Sequence, residues 1–182
     1  MSTPVVVVDY DPAWPHVFER LRALVWPAVR DVALRIEHVG STAVPGLAAK
    51  PIIDISVVVA TDAEVPLAIE RLARLGYVHL GNLDIEGREA FDAPKELPAH
   101  NLYVCPEGTI GLVNQLAMRD YLRAQPAAAR EYGELKKQLA SQFPDDIDSY
   151  VYGKTDFVLR ALRVAGLTSE QLAAIERVNR RS

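Results

Sequence analysis

The chain has 182 residues, 49% of them hydrophobic, and a formal net charge of −4 from 20 Lys+Arg and 24 Asp+Glu. This length and apolar content predict one buried core with room for a helical extension, and they argue against two independent domains. The negative charge provides no general attraction to duplex nucleic acid or to an anionic membrane, so only a local basic pocket could bind anions.

Cysteine usage and hydropathy indicate the cellular compartment. Cys105 is the only cysteine, so no intrachain disulfide can form, and its thiol is expected to be packed rather than reactive. No apolar run reaches the roughly 20 residues that a membrane-spanning helix needs, and the N-terminus lacks the basic and apolar regions of a signal peptide. We therefore expect a cytoplasmic protein with no membrane partner.

The first hundred residues carry patterns of both strands and helices. The β-branched residues 5–8 predict a strand. Apolar residues at 14–32 recur every three or four positions and predict a helix that Pro27 kinks or ends. Strands are also predicted on either side of the small-residue turn within 36–60. Runs of β-formers bounded by Gly, Asn and Pro predict further strands at 77–80, 88–92 and 101–104, and hence a mixed sheet.

Two capping-box patterns mark helix starts. Thr61 with Glu64 opens a helix that Gly76 is predicted to end, and Thr168 with Gln171 opens another at 170–180. In a capping box the first side chain accepts from a free backbone N–H, and the second reaches back to the cap residue. These patterns make the two helix starts firm expectations.

The second part of the chain is predicted to be helical. Helical spacing of apolar residues begins at Thr109, is interrupted at Pro126, and continues in a helix at 147–164. We therefore predict an α+β fold in a single domain, with a mixed sheet and packed helices in 1–108 and a C-terminal helical extension in 109–182.

The segment 36–60 carries the strongest functional pattern. It reads IEHVGSTAVPGLAAKPIIDISVVVA, in which Asp54 is the one acid of the second strand. A buried carboxylate requires a partner, which here is either another side chain or a cation. Backbone N–H groups of the turn at Gly40 and Ser41 could bind an anion, with Lys50 as a neighbouring charge. The pattern predicts a site for a metal-bound phosphate.

A purely structural interpretation of the same residues stays open. Gly40 would then make a tight turn, Ser41 would cap a helix, and Asp54 would pair with Lys50 or Arg35. Structural ion pairs perturb carboxylates as functional sites do.

Several ordered segments resemble one family over nearly the whole chain. They are VDYDPAWPHVFE, EHVGSTAVPGLAAKPIIDI, GREAF, HNLYVCPEG, RDYLRAQP and residues 150–154. Together they resemble the GrpB family of nucleotidyltransferase-like proteins, some members of which are fused to dephospho-CoA kinase. The resemblance implies a nucleotidyltransferase-like sheet that binds a nucleoside triphosphate with Mg²⁺. Asp54 would be the catalytic metal ligand and Ser41 the phosphate cradle for nucleotidyl transfer to a small acceptor.

One departure from the catalytic pattern favours a second interpretation. Active nucleotidyltransferases usually carry a second carboxylate two residues after the first, on the same strand face, and this chain has Ser56 there. A two-metal mechanism needs several carboxylates. Substitutes by composition are Glu37, Asp84, Glu86 and Asp92. The alternative is a non-catalytic module that binds a nucleotide or another phosphate-bearing small molecule and associates with enzymes of coenzyme A biosynthesis.

Other polar residues are predicted to complete the cleft. The predicted phosphate-binding residues are Gly40, Ser41, Lys50, Arg88, Arg119 and Lys154. The predicted cleft-lining residues are His38, Ser56, His100 and Tyr103. Two of these residues could instead have purely structural roles. His38 could be a core histidine, and Arg119 could be an exposed partner of Asp120. The histidine spacing does not predict a zinc site, and nothing predicts sequence-specific binding of nucleic acid.

Overall fold

A computed structural model describes residues 4–180. In this range the chain forms one five-stranded sheet and six α-helices. The strands are β1 (Ala33–Val39), β2 (Ile53–Val59), β3 (Val78–Gly81), β4 (Glu89–Asp92) and β5 (His100–Pro106). The helices are α1 (Trp14–Val29), α2 (Val65–Ala73), α3 (Ile110–Ala124), α4 (Pro126–Gln142), α5 (Ile147–Val164) and α6 (Ser169–Asn179).

The sheet has the strand order β1-β2-β5-β4-β3. β2 and β5 pair in parallel, whereas the other neighbouring strands are antiparallel. The predicted mixed sheet and the α+β class are therefore confirmed. Strands predicted at 77–80, 88–92 and 101–104 correspond to β3, β4 and β5.

The two faces of the sheet differ in character because side chains alternate along each strand. One face is apolar and packs against α1 and α2 through residues such as Ile55, Val57 and Leu102. The other face carries Asp54, Ser56, Asn101 and Tyr103, and we call it the polar face. Helix α3 packs against it, where Leu112 contacts Val58 and Cys105.

The predicted helix boundaries follow from local chemistry. The Thr61 backbone N–H donates to Glu64 Oε2 at 2.8 Å, and the Thr168 N–H donates to Gln171 Oε1 at 2.9 Å, so both capping boxes form. Pro27 lies inside α1, and the helix continues past it to end at Val29. In the described residues, no helix is long and apolar enough to cross a membrane.

The strand predicted at 5–8 is wrong. Val8 forms an isolated bridge with Ala49, in which both N–H···O distances are 2.9 Å, and the Val5 N–H donates to Pro144 O at 2.7 Å. These backbone groups are satisfied by two separate segments, so no single strand runs alongside 5–8. β-branched residues fit the extended backbone here, but they do not by themselves create a ladder.

Candidate functional site on the polar face

The Gly-Ser turn lies directly against Asp54. β1 ends at Val39, which is opposite Asp54 in the antiparallel register, and the chain then turns through Gly40 at φ +72°. A Cβ atom placed on Gly40 would lie 2.2 Å from Asp54 Oδ2 and 3.0 Å from Asp54 Cβ. Only glycine allows this approach together with the left-handed backbone. Ser41 opens the short 3₁₀ turn that follows.

Asp54 is a single carboxylate among cationic groups. Asn101 Nδ2, from the parallel strand β5, donates to Asp54 Oδ1 at 2.8 Å. Burial raises the pKa of Asp54, and the opposing influences are the Asn101 hydrogen bond and the charges of Lys50, Lys154 and Arg88. The alternative partner Arg35 is engaged elsewhere, by Glu37 and Glu107.

Lys136 is the main residue that the sequence analysis did not assign to the site. It is 2% exposed, and its Nζ donates to Ser41 Oγ at 2.7 Å and lies 4.6 Å from the centre of the Tyr132 ring. Burial lowers the pKa of Lys136 well below its usual range, the charges of Lys154 and Lys50 lower it further, and Asp54 opposes them. A sequence signal existed, because position 136 lies four residues after Tyr132 on the buried stripe of α4.

Lys154 completes a group of three amines. Its Nζ lies 4.4 Å from the centre of the Tyr150 ring. Burial, followed by the charge of Lys50, lowers the pKa of Lys154 to about 8, while Asp54 opposes the shift. We call Lys50, Lys136 and Lys154 the lysine cluster. Because its members disfavour one another's charge, the cluster would be stabilised by an added anion.

Arg88 adds a further cation with an unused donor. Its guanidinium lies 4.6 Å from the centre of the Tyr103 ring. Its Nε is buried and has no hydrogen-bond partner among residues 4–180. Burial raises the pKa of Tyr103 above its usual range, and the Asp54 charge adds to the effect. A buried unsatisfied donor costs free energy, so this atom calls for an acceptor.

Position 56 is occupied by a neutral hydrogen-bonded pair. Ser56 Oγ donates to Gln115 Oε1, on α3, at 2.6 Å. Cys105 is buried nearby, and burial raises the pKa of its thiol to about 12, which fits the predicted packed thiol. Position 56 therefore supplies no carboxylate beside Asp54 on the polar face.

The donor set around Asp54 does not fit a resident metal ion. In the described part of the chain, no group of three or more His, Cys, Asp or Glu side chains could hold one. The substitutes considered from composition do not help: Asp84, Glu86 and Asp92 are exposed, and Glu37, which lies opposite Ser56, is bound by Arg35 and Arg119. A divalent cation at Asp54 would also be repelled by the lysine cluster.

Arg119 is committed to other protein groups. Its Nη1 donates to Glu37 Oε2 at 2.7 Å and to His38 O at 3.1 Å, and its Nε donates to Asp120 Oδ1 at 2.8 Å. Burial raises the pKa of Glu37, but the hydrogen bonds from Arg119 and Arg35 outweigh it and hold that pKa below its usual value. Arg119 thus holds Glu37 and the end of β1, and its pairing with Asp120 is observed. Its role in phosphate binding stays a prediction.

The two histidines assigned to the cleft point to the apolar face of the sheet. His38 stacks on Phe18 of α1 with ring centres 4.6 Å apart, and its Nε2 lies 3.0 Å from Thr42 Oγ1 in the Gly-Ser turn. His100 lies 2.7 Å from the Tyr77 hydroxyl through Nε2. The structure therefore does not bring either imidazole to Asp54, and the core-histidine alternative describes His38.

The buried His38 should make the protein acid-sensitive. Burial, with help from the Arg123 and Arg119 charges, lowers the pKa of His38 from 6.5 to about 4. The unfolded chain binds this proton first, so stability present above pH 6.5 is lost as the pH falls towards 4, by up to about 3 kcal/mol. Chemical denaturation across this range should show a smaller loss for His38→Gln than for the wild type. The exposed His16→Gln serves as control, and parallel curves for His38→Gln and wild type would contradict the assignment.

Comparison with known proteins identifies the family. Residues 4–163 match the family model described as GrpB protein. The chain belongs to the GrpB family. The crystal structure of conserved protein GrpB from Enterococcus faecalis is similar with a TM-score of 0.79 and 37% identity, covering 88% of this chain and 96% of that one. The predicted family membership is thus confirmed, and the chain has the fold of that GrpB protein.

Two further relatives are longer than this GrpB chain. UPF0157 protein YqkA from Bacillus subtilis is 36% identical over 161 residues, which are 86% of this chain and 46% of that protein. A dephospho-CoA kinase from Mycolicibacterium paratuberculosis is 30% identical over 187 residues, covering 89% of this chain and 46% of the kinase. The chain therefore spans about half the length of each.

Proposed function

We propose that the polar face binds the phosphate of a small molecule, such as a nucleoside triphosphate, beside the Gly-Ser turn and the lysine cluster. The observation that carries the proposal is the contact of Lys136 Nζ with Ser41 Oγ, at 2.7 Å, beside a second buried amine on Lys154. The charges of Lys50, Lys154 and Arg88 all act on the one carboxylate, Asp54, so positive charge is in excess there. Phosphate oxygens would relieve that excess and accept charge-assisted hydrogen bonds.

Two further structural features support this location for the phosphate. The Gly40 turn leaves the backbone pressed against Asp54, so Ser41 is held in place next to the amines. Arg88 Nε is buried without an acceptor, which a bound phosphate ester or its organic part could supply.

The test is calorimetric titration of the full chain with ATP, GTP, CTP, UTP and inorganic pyrophosphate. Removing one charged hydrogen-bond donor from a buried anion site costs about 1.5–3 kcal/mol, so we expect Lys154→Met to lower affinity by roughly 10- to 100-fold. Ser41→Ala, which removes a neutral hydroxyl, should lower it by roughly three- to tenfold. The control Arg160→Met changes an exposed residue of the same helix, which pairs with Glu131.

That titration has three distinguishable outcomes. Binding that is weakened by Ser41→Ala and Lys154→Met but kept by Arg160→Met is the expected result. Equal affinity in all four proteins would place the phosphate elsewhere. Absence of binding for every phosphate compound would remove the proposal.

Nucleotidyl transfer with Mg²⁺ is the second candidate, favoured by the Gly-Ser turn lying against the strand carboxylate Asp54. Incubation of the protein with each triphosphate, Mg²⁺ and a panel of small acceptors would reveal pyrophosphate release. Because Ser56 pairs with Gln115 instead of supplying a carboxylate, we expect no release above background. Turnover that Asp54→Asn abolishes would reverse the order of the two candidates.

The family relatives suggest two further ligands to titrate, both from coenzyme A metabolism. The similarity to a dephospho-CoA kinase leads us to propose that this chain acts beside enzymes of coenzyme A biosynthesis. Dephospho-coenzyme A and coenzyme A should therefore be titrated together with the nucleotides. Binding of either one in preference to the triphosphates would support that link, and equal or absent binding would not.

A further inference from the structure

We propose that the lysine cluster binds its ligand as a free phosphate or polyphosphate anion, with no divalent metal between the ligand and Asp54. The inference rests on the proposed function, because it concerns the same site, and it specifies the charge state of the ligand. A metal-free triphosphate or diphosphate, rather than its magnesium complex, is the ligand class that this site fits.

The first support is the charge balance on the polar face. Lys50, Lys154 and Arg88 all act on Asp54 as positive charges, and Lys136 is influenced by the same carboxylate. In a metal-dependent site, carboxylates gather the cation and the cation neutralises the phosphates. Here protein cations already act on the carboxylate, and a chelated phosphate would bring less negative charge to them.

The second support is the occupancy of the Asp54 oxygens. Oδ1 accepts the hydrogen bond from Asn101 at 2.8 Å, and Oδ2 faces the Gly40 backbone so closely that a methyl group there would be 2.2 Å away. Mg²⁺ requires near-octahedral coordination at about 2.0–2.1 Å. Oδ1 is therefore engaged by β5, and the Gly40 backbone lies close against Oδ2, where it restricts the approach of a hydrated cation.

The third support is the neutral pair at position 56. Ser56 Oγ donates to Gln115 Oε1 at 2.6 Å, which satisfies the hydroxyl proton and turns the amide oxygen towards the sheet. Neither group carries charge, so a second metal ligand of the required kind is missing beside Asp54. Glu37, on the neighbouring strand, is held by two arginines, with the Arg119 Nη1–Oε2 distance 2.7 Å and the Arg35 Nε–Oε1 distance 2.8 Å.

Replacing Asp54 should then have the opposite effect on phosphate binding from the one expected for a metal ligand. In a metal-dependent site, Asp54→Asn removes the ligand of the cation, and phosphate binding is lost. In the metal-free site, the same substitution removes a negative charge that repels the phosphate, and the asparagine oxygen can still accept from Asn101. At about 4 Å in a water-like medium one such charge is worth about 1 kcal/mol, which corresponds to roughly fivefold tighter binding.

The test measures the affinity of the full chain for ATP and for inorganic pyrophosphate at constant ionic strength, once with EDTA and once with excess Mg²⁺. The proteins are the wild type, Asp54→Asn, and Glu131→Gln, which removes an exposed acid of α4. Circular dichroism melting checks that each variant is folded. We expect binding in EDTA at least as tight as in Mg²⁺, tighter binding by Asp54→Asn, and no change for Glu131→Gln.

Each contrary outcome has its own meaning. Binding that requires Mg²⁺ and disappears in Asp54→Asn would overturn the metal-free site while keeping the proposed phosphate site. Binding that Asp54→Asn leaves unchanged would show that the ligand is remote from this carboxylate, which also overturns the inference. No binding of either compound, with or without Mg²⁺, would overturn both the inference and the proposed function.

Discussion

Gly40→Ala is expected to lower the free energy of unfolding by about 2–5 kcal/mol. Two effects combine at this position. The backbone φ of +72° lies in the left-handed region, and the added Cβ would be 2.2 Å from Asp54 Oδ2 and 3.0 Å from Asp54 Cβ. The Asp54 side chain cannot rotate away from both contacts, because its Cβ is fixed by the strand. Chemical denaturation monitored by circular dichroism measures the loss.

A second glycine with the same backbone conformation separates the cost of that conformation from the cost of the contact with Asp54. Gly46 has a φ of +78° and no atom within 4 Å of a Cβ built on it. Gly46→Ala should therefore cost only about 1 kcal/mol, the contribution of backbone conformation alone. The double variant Gly40→Ala with Asp54→Ala should recover part of the difference. Equal losses for the two single variants would show that the turn is not pressed against Asp54.

Lys136→Met is expected to weaken phosphate binding by at least about tenfold while leaving the fold as stable as before or more stable by about 1 kcal/mol. The amine is buried at 2% exposure, and burial holds its pKa well below the usual range, so the folded chain carries a cost that a methionine of similar length does not. Calorimetric titration with pyrophosphate and denaturation of the same samples give both quantities.

The neighbouring lysine is the control for this substitution. Lys137 is partly exposed and pairs with Asp9 at 2.7 Å and Glu134 at 3.3 Å. Such ion pairs contribute little, so Lys137→Met should change stability by less than about 1 kcal/mol and leave the affinity unchanged. A Lys136→Met variant that is destabilised by more than about 2 kcal/mol but keeps its affinity for pyrophosphate would contradict this prediction. Lys136 would then be a structural residue and not part of the anion site.

Local patterns predicted the parts of the fold and site that neighbouring residues determine. The capping boxes at Thr61 and Thr168 formed because each needs only the next three residues. The approach of Gly40 to Asp54 was also within reach, since consecutive antiparallel strands bring the end of one opposite the start of the next. The segment 5–8 had the right composition for a strand, but a strand also needs a partner of matching length.

Strand alternation explains why the two histidines predicted to line the cleft do not lie beside Asp54. His100 precedes Asn101, so the two side chains must point to opposite faces of β5. His100 and Tyr103 were predicted to line one cleft from the family resemblance, although their spacing of three places them on opposite faces. Applying alternation strictly from Asp54 would have retained Ser56 and Tyr103 and set aside both histidines.

Long-range packing decided the remainder. Lys136 is 95 residues from Ser41 in sequence, and their contact depends on how α4 packs against the Gly-Ser turn. A lysine on the buried stripe of an amphipathic helix is a recognisable exception, since an unpaired amine is rarely buried without a reason. The sequence alone could mark the residue as unusual, but it could not show that Ser41 is its partner.

The central claim is that a phosphate binds beside Ser41, Lys136 and Lys154 and accepts hydrogen bonds from them. The most direct measurement is a crystal structure of the protein soaked with inorganic pyrophosphate in the presence of EDTA. The account predicts phosphate oxygens within hydrogen-bond distance of Ser41 Oγ, Lys136 Nζ and Lys154 Nζ. Pyrophosphate bound at another place, with the Lys136–Ser41 hydrogen bond unchanged and no ligand beside it, would contradict the account.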